Sequence, residues 1–310
     1  MNEDKIKKLS GKDTSVFLEL LNKKKLNNLL KLIDGMFSMI IYNNKKKIFN
    51  FITDPQGEKK LLKYEDKNII IICSTLKPIF TYLSKTKCID ENILKEYFYT
   101  RHLMMPKKTV YKNISFLTPG INYSYNYKNK KFSKKYYDDP IHWIDEKKYK
   151  VYKNLGLDKS SLLLENEIKN ILQKMTPFIN FGNIFSGGVD SSLISLFLQK
   201  QKKSKKLIFI DNVKKDPISN KIKLFKKFIN FRKLRIFKMN KKIYYQNLKK
   251  TYQNIEMPFL SHELVGRNKV FEFFKNSNLK VCFGGDGADE IFGGYKLYEK
   301  IDWSKNSIKN

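Results

Sequence analysis

Between Asn183 and Phe283 short apolar runs alternate with longer stretches of helical periodicity, and this alternation constrains the chain more than any other feature. The pattern predicts strands at Asn183–Phe185, Leu207–Ile210, Leu234–Phe237 and Lys280–Phe283. Helices are expected near 190–199, 218–230, 242–253 and 263–275, with one more from Ser161 to about Met175 ahead of the first strand. Strands separated by helices long enough to cross back over the sheet form an open parallel α/β fold. Ligands of such folds bind at the carboxyl ends of the strands.

The amino-terminal half reads differently. Residues 14–32 carry leucines near helical spacing on either side of a lysine run and predict one or two helices. From Gly35 onward the runs are short and β-rich: Met36 to Tyr42, Ile48 to Ile52 and Ile69 to Cys73. Turn residues separate them, Asn43-Asn44 and Asp54-Pro55-Gln56-Gly57. Residues 91–99 look helical, and 108–137 give further short strands around Thr118-Pro119-Gly120. Between Tyr136 and Lys159 the chain is polar, charged and aperiodic, which predicts a linker. The expected organisation is therefore residues 1–137, a linker 138–159, and residues 160–310.

Composition narrows the function. A chain of 310 residues, 41% of them hydrophobic, can bury two ordinary cores. No apolar run approaches the roughly eighteen residues of a membrane span, and no secretory leader is readable, so a cytoplasmic location is expected. Cys73, Cys88 and Cys282 show no metal-ligand spacing, and Cys73 and Cys88 read as buried small hydrophobes. The formal charge of +32 would ordinarily suggest nucleic acid. Yet only four of the 62 basic residues are arginine, Arg101, Arg232, Arg235 and Arg267, and Ala288 is the single alanine. Abundant lysine with scarce arginine and alanine follows from AT-rich codons, whereas nucleic-acid binders lean on arginine's bidentate contacts. Solvated lysine faces are expected, with no specific nucleic acid and no membrane as partner.

Ser186-Gly187-Gly188-Val189-Asp190-Ser191-Ser192 lies between a predicted strand and a predicted helix. Its glycines let the backbone approach an oxyanion, its hydroxyls donate, and the helix start favours negative charge. This predicts a phosphate cradle without the lysine of a Walker loop. A second run, Gly284-Gly285-Asp286-Gly287-Ala288-Asp289-Glu290-Ile291-Phe292-Gly293-Gly294-Tyr295, follows the last predicted strand.

The first run resembles the pyrophosphate loop of the ATP pyrophosphatases, and the second resembles a signature of one branch, the glutamine-dependent asparagine synthetases. Ser10 to Thr14, Asp34 to Tyr42, Asp54 to Lys59 and Ile114 to Gly120 are similar to segments of that family's glutaminase domain. The resemblance implies an α/β fold: a partial amino-terminal nucleophile-type glutaminase sandwich followed by an open parallel-sheet ATP pyrophosphatase domain. The family's amino-terminal cysteine has no counterpart, since Asn2 follows Met1, and Gly11 and Asp13 match positions that hold glutamine. The expectation is a glutaminase-like domain without its nucleophile, unable to hydrolyse glutamine alone, and a synthetase domain short at its carboxyl end.

For the synthetase half the resemblance implies ATP and Mg²⁺ as cofactors. A carboxylate, aspartate by expectation, would attack the α-phosphorus to give an acyl-adenylate and pyrophosphate, and ammonia or an amine would then displace AMP. It implies Ser186, Gly187, Gly188, Asp190, Ser191, Ser192, Gly285 and Gly287 at the nucleotide, Asp190 on the metal, and the backbone of Ile210 near the adenine. Glu256 and Asp286 would be catalytic, and Asp289 and Glu290 would face substrate. Glu256-Met257-Pro258-Phe259 departs from the family's acidic pattern, with Met257 and Ser261 where acids are usual. Lys296, Lys300, Lys305 and Lys309 read as surface charges. Two alternatives stay open. One is a relative that closes a β-lactam or lasso-peptide ring with an internal amine. The other is a non-catalytic fragment, or a subunit whose second polypeptide supplies the missing glutaminase segment.

Overall fold

The computed structural model describes residues 13–84, 88–100, 107–177, 179–200, 206–211, 218–258, 262–296 and 298. Ser10, Gly11, Asn212, Phe259, Ser261, Lys300, Lys305 and Lys309 lie outside the described residues, as does the side chain of Asp13. Two compact units result, one running to Asn154 and including the short segment from Glu256, the other beginning at Leu155.

In chain order the first unit contains α1 (Asp13–Lys23), α2 (Leu26–Leu30), β1 (Ser38–Asn43), β2 (Ile48–Thr53), β3 (Leu62–Glu65) and β4 (Ile70–Cys73). It continues with α3 (Lys77–Leu83), α4 (Glu91–Thr100), β5 (Ile114–Phe116), β6 (Ile121–Asn126), β7 (Lys131–Tyr136), a 3-10 turn at Pro140–Trp143 and α5 (Glu146–Lys153). Two antiparallel sheets form, in the orders β1-β2-β6-β7 and β4-β3-β5. Alternation along β2 sends Ile52 into a cluster with Leu30, Tyr137 and the β1 residues Met39 and Ile41. Phe49 and Phe51 go to the opposite face, where Leu61, Leu117, Ile72, Tyr123 and Phe132 join them, so both sheets contribute to one core.

The second unit begins with α6 (Leu157–Met175), followed by β8 (Phe181–Ile184), α7 (Val189–Lys200), β9 (Lys206–Asp211), α8 (Ile218–Phe225), β10 (Leu234–Lys238), α9 (Lys241–Ile255), α10 (His262–Asn276), β11 (Val281–Phe283) and α11 (Ala288–Phe292). The four strands form a parallel sheet in the order β10-β9-β8-β11. On one face Phe181, Phe283, Leu172, Phe197 and Leu198 pack together. Ile184 and Cys282, of opposite parity, meet Val270 and Phe274 of α10. Burial pushes the Cys282 thiol up to about 12.

The departures from expectation are local. The stretch 138–159, expected as a linker, holds the 3-10 turn, α5 and the first residues of α6. Asp139 accepts from Ile141 N–H, and Asp145 from Lys147 and Lys148 N–H, so caps nucleate structure that apolar periodicity does not announce. Cys88 is exposed and Cys73 half-buried, where both were expected inside. Among the described residues no helix is long and apolar enough to cross a membrane.

Candidate active site

The sheet order positions the site. From β8 the chain moves outward to β9 and β10, then returns to the other side of β8 as β11. The direction of winding reverses between β8 and β11, where open α/β sheets form their ligand crevice. Phe283 pairs with Asn183, so the loops leaving β8 and β11 start side by side. Two glycine-rich runs about a hundred residues apart in sequence therefore meet.

The first turn is anchored by Phe185, which is completely buried. Ser186 and Ser191 hydroxyls lie 2.8 Å apart, and Ser186 N–H donates to Ser191 Oγ at 3.1 Å. Gly188 N–H donates to Ser186 Oγ at 3.3 Å, while the Ser192 hydroxyl donates to Gly188 O at 2.6 Å. Deeper in α7, Ser195 donates to Ser191 O and receives the amide of the fully buried Asn183. These bonds hold the start of α7, whose first N–H groups have no acceptor within the helix, toward the crevice. Gly187 turns the chain with φ of +77°.

Gly285 brings the second loop against the first. A Cβ there would lie 3.0 Å from both Asp190 Cβ and Ser191 N, so only glycine allows this approach without movement. Between the loops lies a cavity of about 270 Å³ lined by Ile184, Ser186, Asp190, Ser191, Glu263, Arg267, Gly284, Gly285, Asp286 and Asp289.

The structure thus brings together Ser186, Asp190, Ser191, Gly285, Asp286 and Asp289 of the expected site residues. Gly187, Gly188, Ser192 and Gly287 shape the two loops without lining the cavity. Glu290 accepts the Tyr295 hydroxyl at 2.7 Å, which lowers the Glu290 carboxyl and pushes the tyrosine up to about 12. Ile210 is in β9, its side chain outside the described residues. Glu256 does not line this cavity. It belongs to the first unit, where its carboxylate accepts Leu76 N–H at 2.9 Å and its carbonyl accepts the Tyr111 hydroxyl at 3.0 Å. Met257 packs there against the Leu62, Tyr64 and Ile79 cluster.

Sequence reasoning missed Glu263 and Arg267, which α10 supplies one turn apart. Arg267 donates from Nη1 to Asp286 Oδ2 at 3.0 Å and from Nη2 to Asp286 Oδ1 at 2.6 Å. Its scarcity in so lysine-rich a chain was the one available signal.

The donor set fits a nucleotide with magnesium. Ser186 and Ser191 line the cavity at the start of α7, beside Gly285, whose missing Cβ allows the two loops to approach. No group of three or more metal-ligating side chains exists among the described residues. Magnesium takes one or two carboxylates and fills its remaining positions with phosphate oxygens and water, so Asp190, which lines the cavity, would be enough as its protein ligand.

A parallel sheet with a hydroxyl- and glycine-rich turn at its switch point is the arrangement at which open α/β proteins receive anionic ligands, and here an antiparallel two-sheet unit precedes it. Residues 2–137 match the model of the glutamine amidotransferase domain and residues 168–309 that of asparagine synthase. Two relatives from Methanocaldococcus jannaschii, named "Putative asparagine synthetase [glutamine-hydrolyzing]" 1 and 2, are each 26% identical over 93% of this chain. The chain spans about half their length, 49% of the first and 55% of the second. Between them these matches cover most of the chain and support a member of the asparagine synthetase family.

Proposed function

We propose that this chain forms an amide from a carboxylate and ammonia or an amine, at the expense of ATP cleaved to AMP and pyrophosphate, with aspartate as acceptor and asparagine as product. The observation that carries the reading is the meeting of the Ser186–Ser192 turn and the Gly284–Asp289 loop in one cavity at the switch point. We read the two units as a glutaminase-type sandwich and an ATP pyrophosphatase domain.

Charge develops on the pyrophosphate as the bond to the α-phosphorus breaks, so preorganised donors there stabilise the transition state more than the ground state. The first-turn N–H groups of α7 would supply them, joined by the Ser186 and Ser191 hydroxyls once these exchange their bond to each other for the anion. Asp190 would hold magnesium, which offsets the polyphosphate charge. Asp286 and Asp289, on the β11 loop, would face the acceptor and its incoming amine. The strand end of β9 at Ile210 would offer backbone groups to the base.

Exchange of labelled pyrophosphate into ATP, dependent on an added carboxylate, tests the reading directly. Aspartate should support it best, and Asp190→Ala should abolish it. Exchange without any acceptor, or release of orthophosphate in place of pyrophosphate, would sink the proposal.

A further inference from the structure

The cavity poses an electrostatic problem that its motifs do not solve. Four carboxylates line it, those of Asp190, Glu263, Asp286 and Asp289, and Arg267 is the only basic side chain among the lining residues described. A polyphosphate cannot approach four uncompensated acids cheaply, and magnesium at Asp190 addresses only that side of the cavity. Arg267 addresses the other. Its guanidinium grips both oxygens of Asp286, and Nη2 lies 3.6 Å from Glu263 Oε2, so one cation faces two of the four acids.

Stability does not account for this arrangement. The Asp286 side chain is 67% exposed, and ion pairs so open to water contribute little to folding. Nor does charge alone account for the residue type, because lysine could neutralise an acid as a point charge. Only the planar fork of arginine holds both carboxylate oxygens in one orientation. A chain with four arginines among 62 basic residues places one of them here.

We infer that Arg267 is a positioning residue for Asp286, cancelling and orienting that carboxylate so that an acid-lined cavity admits a polyphosphate. The inference rests on the nucleotide-binding reading above. It also gives the β11 loop a defined tie to α10 beside the cavity.

Calorimetric titration of the full chain with MgATP tests it, alongside Arg267→Gln, Arg267→Lys, Asp286→Asn and the Arg267→Gln/Asp286→Asn double variant, with melting temperatures measured in parallel. Arg267→Gln should weaken MgATP binding roughly tenfold, the scale of one uncompensated charge at a partly screened site. The double variant should recover to within about twofold of wild type, because the charge that Arg267 cancels is gone with it. Arg267→Lys should keep most of the affinity, while its pyrophosphate exchange falls in kcat more than in the KM for ATP, because the fork is lost. Unchanged affinity in Arg267→Gln, or losses that add in the double variant, would overturn the inference and leave the nucleotide site standing. A wild-type chain that binds no MgATP would overturn the nucleotide reading itself and this inference along with it.

Discussion

Two turns, one in each unit, use an acid and glycine in opposite ways. In the first unit Asp54 is almost fully buried, and its carboxylate accepts the N–H groups of Gln56, Glu58 and Lys59. Three donors of the turn point at its own carboxylate and Gly57 N–H donates to the Asp54 carbonyl, so the turn is closed. In the second unit Ser186 to Ser192 satisfies its hydroxyls internally but leaves Asp190 lining a cavity beside the start of a helix. Both runs resemble family segments in sequence. What separates a structural turn from a binding turn is where the donors converge, on a side chain of the turn itself or on empty space.

If that contrast holds, changes in the first unit should cost stability and changes in the second should cost binding. The largest effect is expected at Gly120, which has φ of +68° and where a Cβ would lie 2.1 Å from the backbone oxygen of Asp138. Gly120→Ala should destabilise by about 3 kcal/mol, since neither backbone can yield cheaply. Chemical denaturation measures it, and an unfolding midpoint equal to wild type would contradict the clash. Next comes Asp54→Ala, which strands three N–H groups in a buried turn and should cost about 2 kcal/mol while leaving MgATP affinity unchanged. A loss of nucleotide affinity in that variant would erase the distinction between the two turns.

Gly285→Ala inverts the pattern. The added methyl meets Asp190 Cβ and Ser191 N at 3.0 Å, a tight contact that a small loop shift relieves, so stability should change by less than about 1 kcal/mol. That same shift moves the loop away from the start of α7, and MgATP binding should weaken about tenfold, equivalent to about 1.4 kcal/mol. Calorimetry and denaturation on one preparation separate the two quantities. A stability loss with intact binding would put Gly285 with the structural glycines.

The parts legible in sequence were those whose signal is contiguous. The β8 turn and the β11 loop are unbroken runs of glycine, hydroxyl and acid, and the strand–helix alternation around them survives errors of a few residues at the boundaries. The strand β3 was missed because four residues, Leu-Lys-Tyr-Glu, carry no more than one repeat of alternation. The helix α5 was missed because EKKYKVYK has no apolar face and depends on the Asp145 cap. Arg267 and Glu263 were invisible for another reason. Each is an ordinary charged residue on an amphipathic helix, and its role depends on α10 being folded beside the β11 loop, a long-range fact that no local spacing encodes.

The smallest expected effect compares a tyrosine–carboxylate bond in each unit. Tyr64 donates to Asp66 at 2.7 Å with its ring buried in the core, and Tyr295 donates to Glu290 at the same distance on an exposed loop. In both pairs the bond lowers the carboxyl and pushes the phenol up to about 12. A depressed acid contributes stability above its unfolded pKa and loses it as pH falls through the folded value. A raised phenol contributes fully below its unfolded value of 10.0 and loses the contribution as pH rises through about 12. Each bond is therefore intact across the neutral range and fails at both extremes. Melting temperatures of wild type, Tyr64→Phe and Tyr295→Phe should differ by a constant amount from about pH 6 to 9, and the gaps should close in acid as the carboxylates protonate. The gap for Tyr64→Phe should be the larger, because the lost partner leaves a core position, whereas water replaces the Tyr295 hydroxyl at once. Equal gaps, or a gap for Tyr295→Phe that persists at pH 3, would mean that the exposed loop of the second unit is held as firmly as the core of the first.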